Sequence, residues 1–204
     1  MKLNRVLHFL SLSILGFLLV GCAFKGQYQP KLLSQQLSLI EAKFDGQALV
    51  LTDSKEDLKL YQQGPSSLTG AATSLSINVG GYLKDISVEV FSRLFKEGAI
   101  HSNNENESGE YVVIIKPEIL NYDWRFNQLK NLGFAITPET KIDLLVTLKD
   151  SKGKVLLEKK YESDYLSGGS YLASIKPHEK VNKSVHQSIY NLLMLVAEDI
   201  GKIL

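Results

Sequence analysis

Little in this sequence could hold a chain together by anything other than packing. One cysteine, Cys22, in 204 residues excludes an internal disulfide, and the four histidines carry no metal-ligand spacing. An excess of one charge is also missing: 23 cationic side chains stand against 22 anionic ones, a formal net charge of +1. That balance gives no electrostatic case for gripping a nucleic-acid backbone. With five prolines, 15 glycines and 44% hydrophobic residues, the composition excludes a collagen-like fibre, a disordered tail and a polytopic membrane protein. What remains is one ordinary globular domain.

The first 21 residues have the three parts of a removable export signal. Cationic Lys2 and Arg5 precede an apolar stretch from Val6 to Val20, interrupted by His8, Ser11, Ser13 and Gly16, and then a small-residue exit. A permanent span takes roughly 20 apolar residues, whereas the chain after Cys22 turns polar. Removing residues 1–21 takes Lys2 and Arg5 away and turns the formal charge from +1 to −1. The 183 residues left are enough to bury roughly 70% of their unfolded surface in a single core.

The run Leu19-Val20-Gly21-Cys22 closely resembles the lipobox of bacterial lipoproteins: a branched apolar residue, a small residue before the cut, and an obligatory cysteine. The resemblance implies a diacylglycerol on the Cys22 thiol, cleavage immediately before Cys22, and acylation of the new amino group. Apart from this covalent lipid, no cofactor is expected. Two or three acyl chains, at about 0.8 kcal/mol per buried methylene, make a stable attachment where one chain would be marginal. Residue +2 is Ala23 and not the aspartate that in this family tends to retain lipoproteins in the inner membrane. The resemblance therefore implies a periplasm-facing anchor in the outer membrane.

Residues 22–34, mostly polar with Pro30, read as the lipidated cysteine and a flexible tether, and residues 35–204 as a single periplasmic domain. Stretches 37–44 and 47–52 flank Asp45-Gly46 at hairpin spacing. Residues 64–81, rich in Gly, Ser, Thr and Ala, suggest a long loop and then a short strand at 75–79. From Tyr82 a helical stripe of Leu83, Ile86, Val90 and Leu94, widened by Phe91 and Phe95, predicts an amphipathic helix with Gly98 as its C-cap. Residues 101–110 read as a polar surface loop.

Tyr111 to Ile115 predicts an internal strand, with a bulge or break at Pro117. Leu120, Tyr122, Trp124 and Phe126 then alternate with polar residues; core packing of that face is the preferred reading over an exposed binding strip. Residues 142–148 and 155–161 alternate around Asp150-Ser-Lys-Gly153, the clearest hairpin in the chain. Pro177 opens a helix whose stripe runs from Val181 through Val185, Ile189, Leu193 and Val196 to Ile203, roughly 40 Å at 1.5 Å per residue. Tyr190 and Met194 fall off that stripe, so either another element or a partner protein covers them; the former is preferred, and the two residues mark the candidate partner surface. The element pattern predicts an α+β two-layer sandwich, a mixed or mainly antiparallel sheet with two amphipathic helices on one face.

Roughly from Tyr111 to Ile200 the chain resembles the YajG-like family of bacterial lipoproteins. The likeness is carried by Thr140-Lys-Ile-Asp-Leu-Leu-Val-Thr-Leu, the turn to Gly153-Lys154, the return through Lys160-Tyr161 and Tyr165, the glycine loop, and the last helix opening near His178. Similar architecture recurs in auxiliary lipoproteins of ABC-type lipid transporters and in the lipopolysaccharide-assembly lipoprotein. The resemblance implies a periplasm-facing, non-enzymatic lipoprotein.

Chemistry of other kinds finds little support. His178 and His186 are eight apart, where a helix needs i, i+3 or i+4 to share an ion, and both are expected to be solvated, as is His101 in its loop. Serines such as Ser67 and Ser170 sit in no strand-to-helix elbow, and the glycine stretches lack the Lys-Ser/Thr or dinucleotide spacing of phosphate loops. Glu56/Asp57 and Glu198/Asp199 are adjacent pairs, expected as solvated charges. Asn182-Lys-Ser184 matches a glycosylation acceptor that a bacterial lipobox does not call for. The expectation is a non-catalytic binding or assembly module of the cell envelope, held to its membrane by lipid, with an envelope protein as partner and no nucleic acid. The alternative is a lipid- or ligand-binding auxiliary lipoprotein of an ABC-type or lipopolysaccharide transport system.

Overall fold

The structure, a computed structural model, describes residues 23–67, 73–104, 109–127, 136–170 and 177–204. In chain order the elements are β1 (Ala23–Lys25), a 3-10 turn (Pro30–Leu33) running into the short helix α1 (Ser34–Ser38), β2 (Gln47–Leu51), the single turn α2 (Ser54–Asp57), β3 (Tyr61–Gln63) and β4 (Ser74–Ile77). Next come α3 (Val79–Leu94), β5 (Ala99–Ser102), β6 (Tyr111–Asn127), β7 (Thr137–Lys149), β8 (Val155–Glu162), β9 (Leu166–Ser167) and α4 (Pro177–Ile203). Among the described residues these make a main sheet in the order β5-β2-β6-β7-β8, with β9 on β7, and a small sheet in the order β1-β4-β3. The protein is an α+β two-layer sandwich.

The main sheet is mixed for a topological reason. Strand β2 reaches its parallel neighbour β5 through α3, the kind of crossover parallel strands require, while β6, β7 and β8 follow as antiparallel neighbours. The hairpin expected around 150–153 forms here: the Asp150 carboxylate accepts from the Lys152 and Lys154 backbone N–H groups, and Gly153 takes the left-handed conformation at φ 80°. Helices α3 and α4 pack on one sheet face. Ile86, Val90 and Leu94 of α3, Val185, Ile189 and Val196 of α4, and Ile142, Leu144 and Val146 of β7 fill the layer between with almost no exposure.

Strand β6 keeps an apolar inner face over 17 residues by one irregularity. Val113, Ile115, Pro117 and Ile119 face inward, and then the register against β7 skips Leu120. That bulge turns Tyr122, Trp124 and Phe126 onto the same inner face as the odd-numbered residues before it. The three aromatics are therefore core, as preferred from sequence, but Leu120 is not with them and stays 50% exposed. The irregularity is at Leu120 and not at Pro117, which pairs with Val146; Pro117 lies past the end of the β2 ladder, where a residue without an N–H is tolerated.

Several local expectations fail against longer-range pairing. Residues 37–44 and 47–52 form no hairpin, because the backbone of Lys43 and Phe44 donates to the Leu94 carbonyl and Phe44 bridges Phe95 in parallel. Gly46 does turn at φ 77°, but it leads into β2 from α3's end and not from a partner strand. Helix α3 begins at Val79, not Tyr82, since the Asn78 side chain accepts from the Gly81 N–H as a cap, and it ends at Leu94, with Gly98 (φ 78°) turning the chain into β5. The largest correction concerns residues 23–34, expected as a tether. They are docked: β1 pairs in parallel with β4, Tyr28 rests on the core, and Leu33 is buried.

Candidate functional site

The docking of the amino-terminal segment is built from side chains that the sequence presents as surface polar groups. Along α4, Val181, Val185 and Ile189 face the core, and Asn182 and His186, each one residue on, share the neighbouring strip. His186 is fully buried. Its Nδ1 lies 2.8 Å from the Asn182 carbonyl, which can only accept, so Nδ1 carries the proton. Nε2 is then a lone pair, and it accepts from the Gln29 backbone N–H at 3.1 Å. The ring is thus held neutral, and burial pushes its pKa below the ordinary histidine value.

Asn182 completes the latch. Its Nδ2 donates to the Gln27 carbonyl at 2.8 Å and its Oδ1 accepts from the Tyr82 hydroxyl at 2.7 Å, linking the segment to both helices. Tyr28 stacks on His186 with ring centroids 5.3 Å apart and 5° between planes, and donates to Glu89 of α3 at 2.7 Å. Phe24 stacks in the same way on His178, at 4.9 Å. Burial drives the Tyr28 and Tyr82 hydroxyls far above the usual phenol range, so both stay protonated donors. The two stacks fit by arithmetic: four extended residues and eight helical residues both span about 12–13 Å.

The histidines and acids expected as solvated are largely committed to structure. His101 lies on β5, its Nε2 2.7 Å from Thr52 Oγ1 and 3.6 Å from Asp57 Oδ2. A nucleophile–base–acid relay needs the two imidazole nitrogens to face different partners; here hydroxyl and carboxylate approach the same one. Asp57 also accepts from Asn103 at 2.7 Å, which ties α2 to the end of β5. Asp199, 8% exposed, accepts from Lys159, Lys202 and the Tyr161 hydroxyl, and these partners hold its carboxyl well below the ordinary range. On the open face of the sheet Glu139 takes Nε and Nη2 of Arg125 at 3.2 Å each, and the Arg125 guanidinium covers the Tyr165 ring at 3.7 Å. Asn182, which opens the triplet set aside above as a glycosylation acceptor, is buried with its amide nitrogen occupied. Among the described residues no three His, Cys, Asp or Glu side chains are grouped to hold a metal ion.

Leu19, Val20, Gly21 and Cys22 lie outside the described residues. Tyr190 and Met194 are half-buried and pack against the core. Met194 lines a groove of about 410 Å³ together with Phe44, Ala197 and Gly201 and the charged Lys43, Glu198 and Lys202. A second, largely apolar groove of about 520 Å³ runs between the 3-10 turn with α1 and helix α3, bordered by Pro30, Leu37, Val88 and Glu89. No helix among the described residues is long and apolar enough to cross a membrane.

Reading only the eight-residue spacing of His178 and His186 misses the latch. The usable signal was the polar pair Asn182 and His186, four apart and directly beside an apolar stripe.

No family model matches the chain, and no curated protein matches it. Among solved structures it is similar to a DUF330-family protein from Xanthomonas campestris, with 10% identity and a TM-score of 0.50 over 88% of this chain and 98% of that one. A putative neuraminyllactose-binding hemagglutinin homolog from Helicobacter pylori matches at 7% identity and a TM-score of 0.40, over 78% of this chain and 85% of that one. At such identity the likeness to the DUF330 protein is one of fold.

Proposed function

We propose that this protein is a bacterial lipoprotein, held to the outer membrane by acyl chains on Cys22, whose folded part is a non-catalytic binding or assembly module of the cell envelope. The observation that carries the reading is the Leu19-Val20-Gly21-Cys22 lipobox directly ahead of a segment pinned to the fold. Titratable groups committed to tying elements together, as at His186, Asp199 and Glu139, fit a scaffold better than a catalyst. The Met194 groove, lined by both apolar and charged side chains, has the make-up of a modest protein contact.

Cells fed a palmitate analogue test the anchor. Wild-type protein should take up the label and fractionate with the outer membrane, and Cys22→Ala should lose both; an unlabelled wild type overturns the reading. Crosslinking in the same membranes, with Met194→Glu as comparison, tests the groove: the wild type should give a specific envelope partner that the variant loses. The alternative reading, an auxiliary lipoprotein that holds a lipid for an envelope transporter, draws on the apolar groove beside Leu37 and Val88, whose volume suits a small apolar ligand. Lipid recovered in mass spectra of the purified domain, and lost on Val88→Trp, would favour it.

A further inference from the structure

We infer that the folded domain sits directly on the lipid surface in one orientation, with the amino-terminal end of α4 toward the bilayer and the Met194 groove away from it. The inference rests on the reading of Cys22 as the acylated residue. Ala23 is the next residue and already belongs to β1, pairing with Ser74 of β4, so the acyl-bearing Cα lies one peptide unit, about 3.8 Å, from the fold.

The direction is fixed by three successive contacts. Phe24 stacks on His178 in the first turn of α4, Gln27 accepts from Asn182 one turn further, and Gln29 donates to His186 after another. The segment therefore runs alongside α4 in the same direction, starting from the helix's amino-terminal end. Gly26 is tied in as well: its backbone N–H donates to the Ser76 carbonyl at 2.9 Å, and a Cβ there would come within 2.9 Å of the Ile77 side chain. Exposed Lys25 on the segment and exposed Lys183 on the helix, with half-buried Lys180 one turn before it, put cationic side chains at this end beside Glu179. That charge suits an anionic lipid headgroup layer. Met194 lies 16 residues beyond His178, about 24 Å farther along the helix at 1.5 Å per residue.

An acylated tether of a dozen flexible residues would let the domain tumble; a pinned segment does not. The full lipidated protein in vesicles of mixed phosphatidylethanolamine and phosphatidylglycerol, carrying a nitroxide on the headgroup, tests this. One fluorophore is placed at Lys25→Cys or at Leu204→Cys, the thioether at Cys22 being unreactive to the label. Quenching should be strong at position 25 and lost at position 204. Inserting about ten Gly/Ser residues between Cys22 and Ala23, a coil reaching roughly 17 Å, should abolish the difference. Acylated, vesicle-bound protein quenched equally at both positions overturns the orientation alone. Protein that carries no acyl chain by mass spectrometry and does not float with vesicles overturns both the orientation and the lipoprotein reading beneath it.

Discussion

Asn182 and His186 show how much a single position can carry in this fold. Asn182→Ala removes the acceptor of the buried Tyr82 hydroxyl and the donor to Gln27, and a buried polar group left unsatisfied costs about 1–3 kcal/mol. Urea denaturation should show a loss of about 2–3 kcal/mol, with hydrogen exchange accelerating first at residues 24–30. For His186 the folded state holds the neutral ring and lowers its pKa, whereas the unfolded chain titrates near the ordinary value of 6.5. The unfolded state then binds more protons as pH falls below 6.5, so stability is fully present above that pH and is lost as it falls toward the lowered pKa. Melting temperatures measured between pH 7.5 and 5 should fall in the wild type and fall less in His186→Gln. An equal slope in both would remove His186 from the account.

Elements depend on partners in the same way. The end of α4 is joined to β8 by Asp199, whose carboxylate accepts from Tyr161 and Lys159. Asp199→Ala should cost about 1–2 kcal/mol in thermal or urea unfolding, the smaller end because both lysines are about half exposed or more and water screens them. The bulge in β6 makes a contrasting prediction. Leu120 is the skipped, exposed residue, so Leu120→Lys should change stability by less than about 0.5 kcal/mol, whereas Trp124→Ala, four residues on and 1% exposed, should cost about 3–5 kcal/mol. Had the inner face run unbroken through Leu120, both changes would be severe.

At the scale of the whole molecule, the segment at 23–29 is part of the cooperative unit. Deleting it, so that the soluble domain begins at Pro30, should lower the urea midpoint by the equivalent of about 3 kcal/mol, because Glu89, Asn182 and His186 all lose hydrogen-bond partners. An unchanged midpoint would mean that the segment is a tether after all.

What the sequence by itself determined are the features encoded by neighbours in the chain. The hairpin turning at Asp150 and Gly153, the two helical stripes and the two-layer class all follow from spacing over a few residues, where local geometry fixes the periodicity. Tertiary structure alone decided what depends on partners far away. Phe44 pairs with Phe95 and not across Asp45-Gly46, a bulge at Leu120 resets the inner face of β6, and Gln27 and Gln29 find Asn182 and His186 more than 150 residues later. The polar, proline-containing composition of residues 23–34 reads as solvated chain because their hydrogen bonds are with groups that only the folded molecule brings within reach.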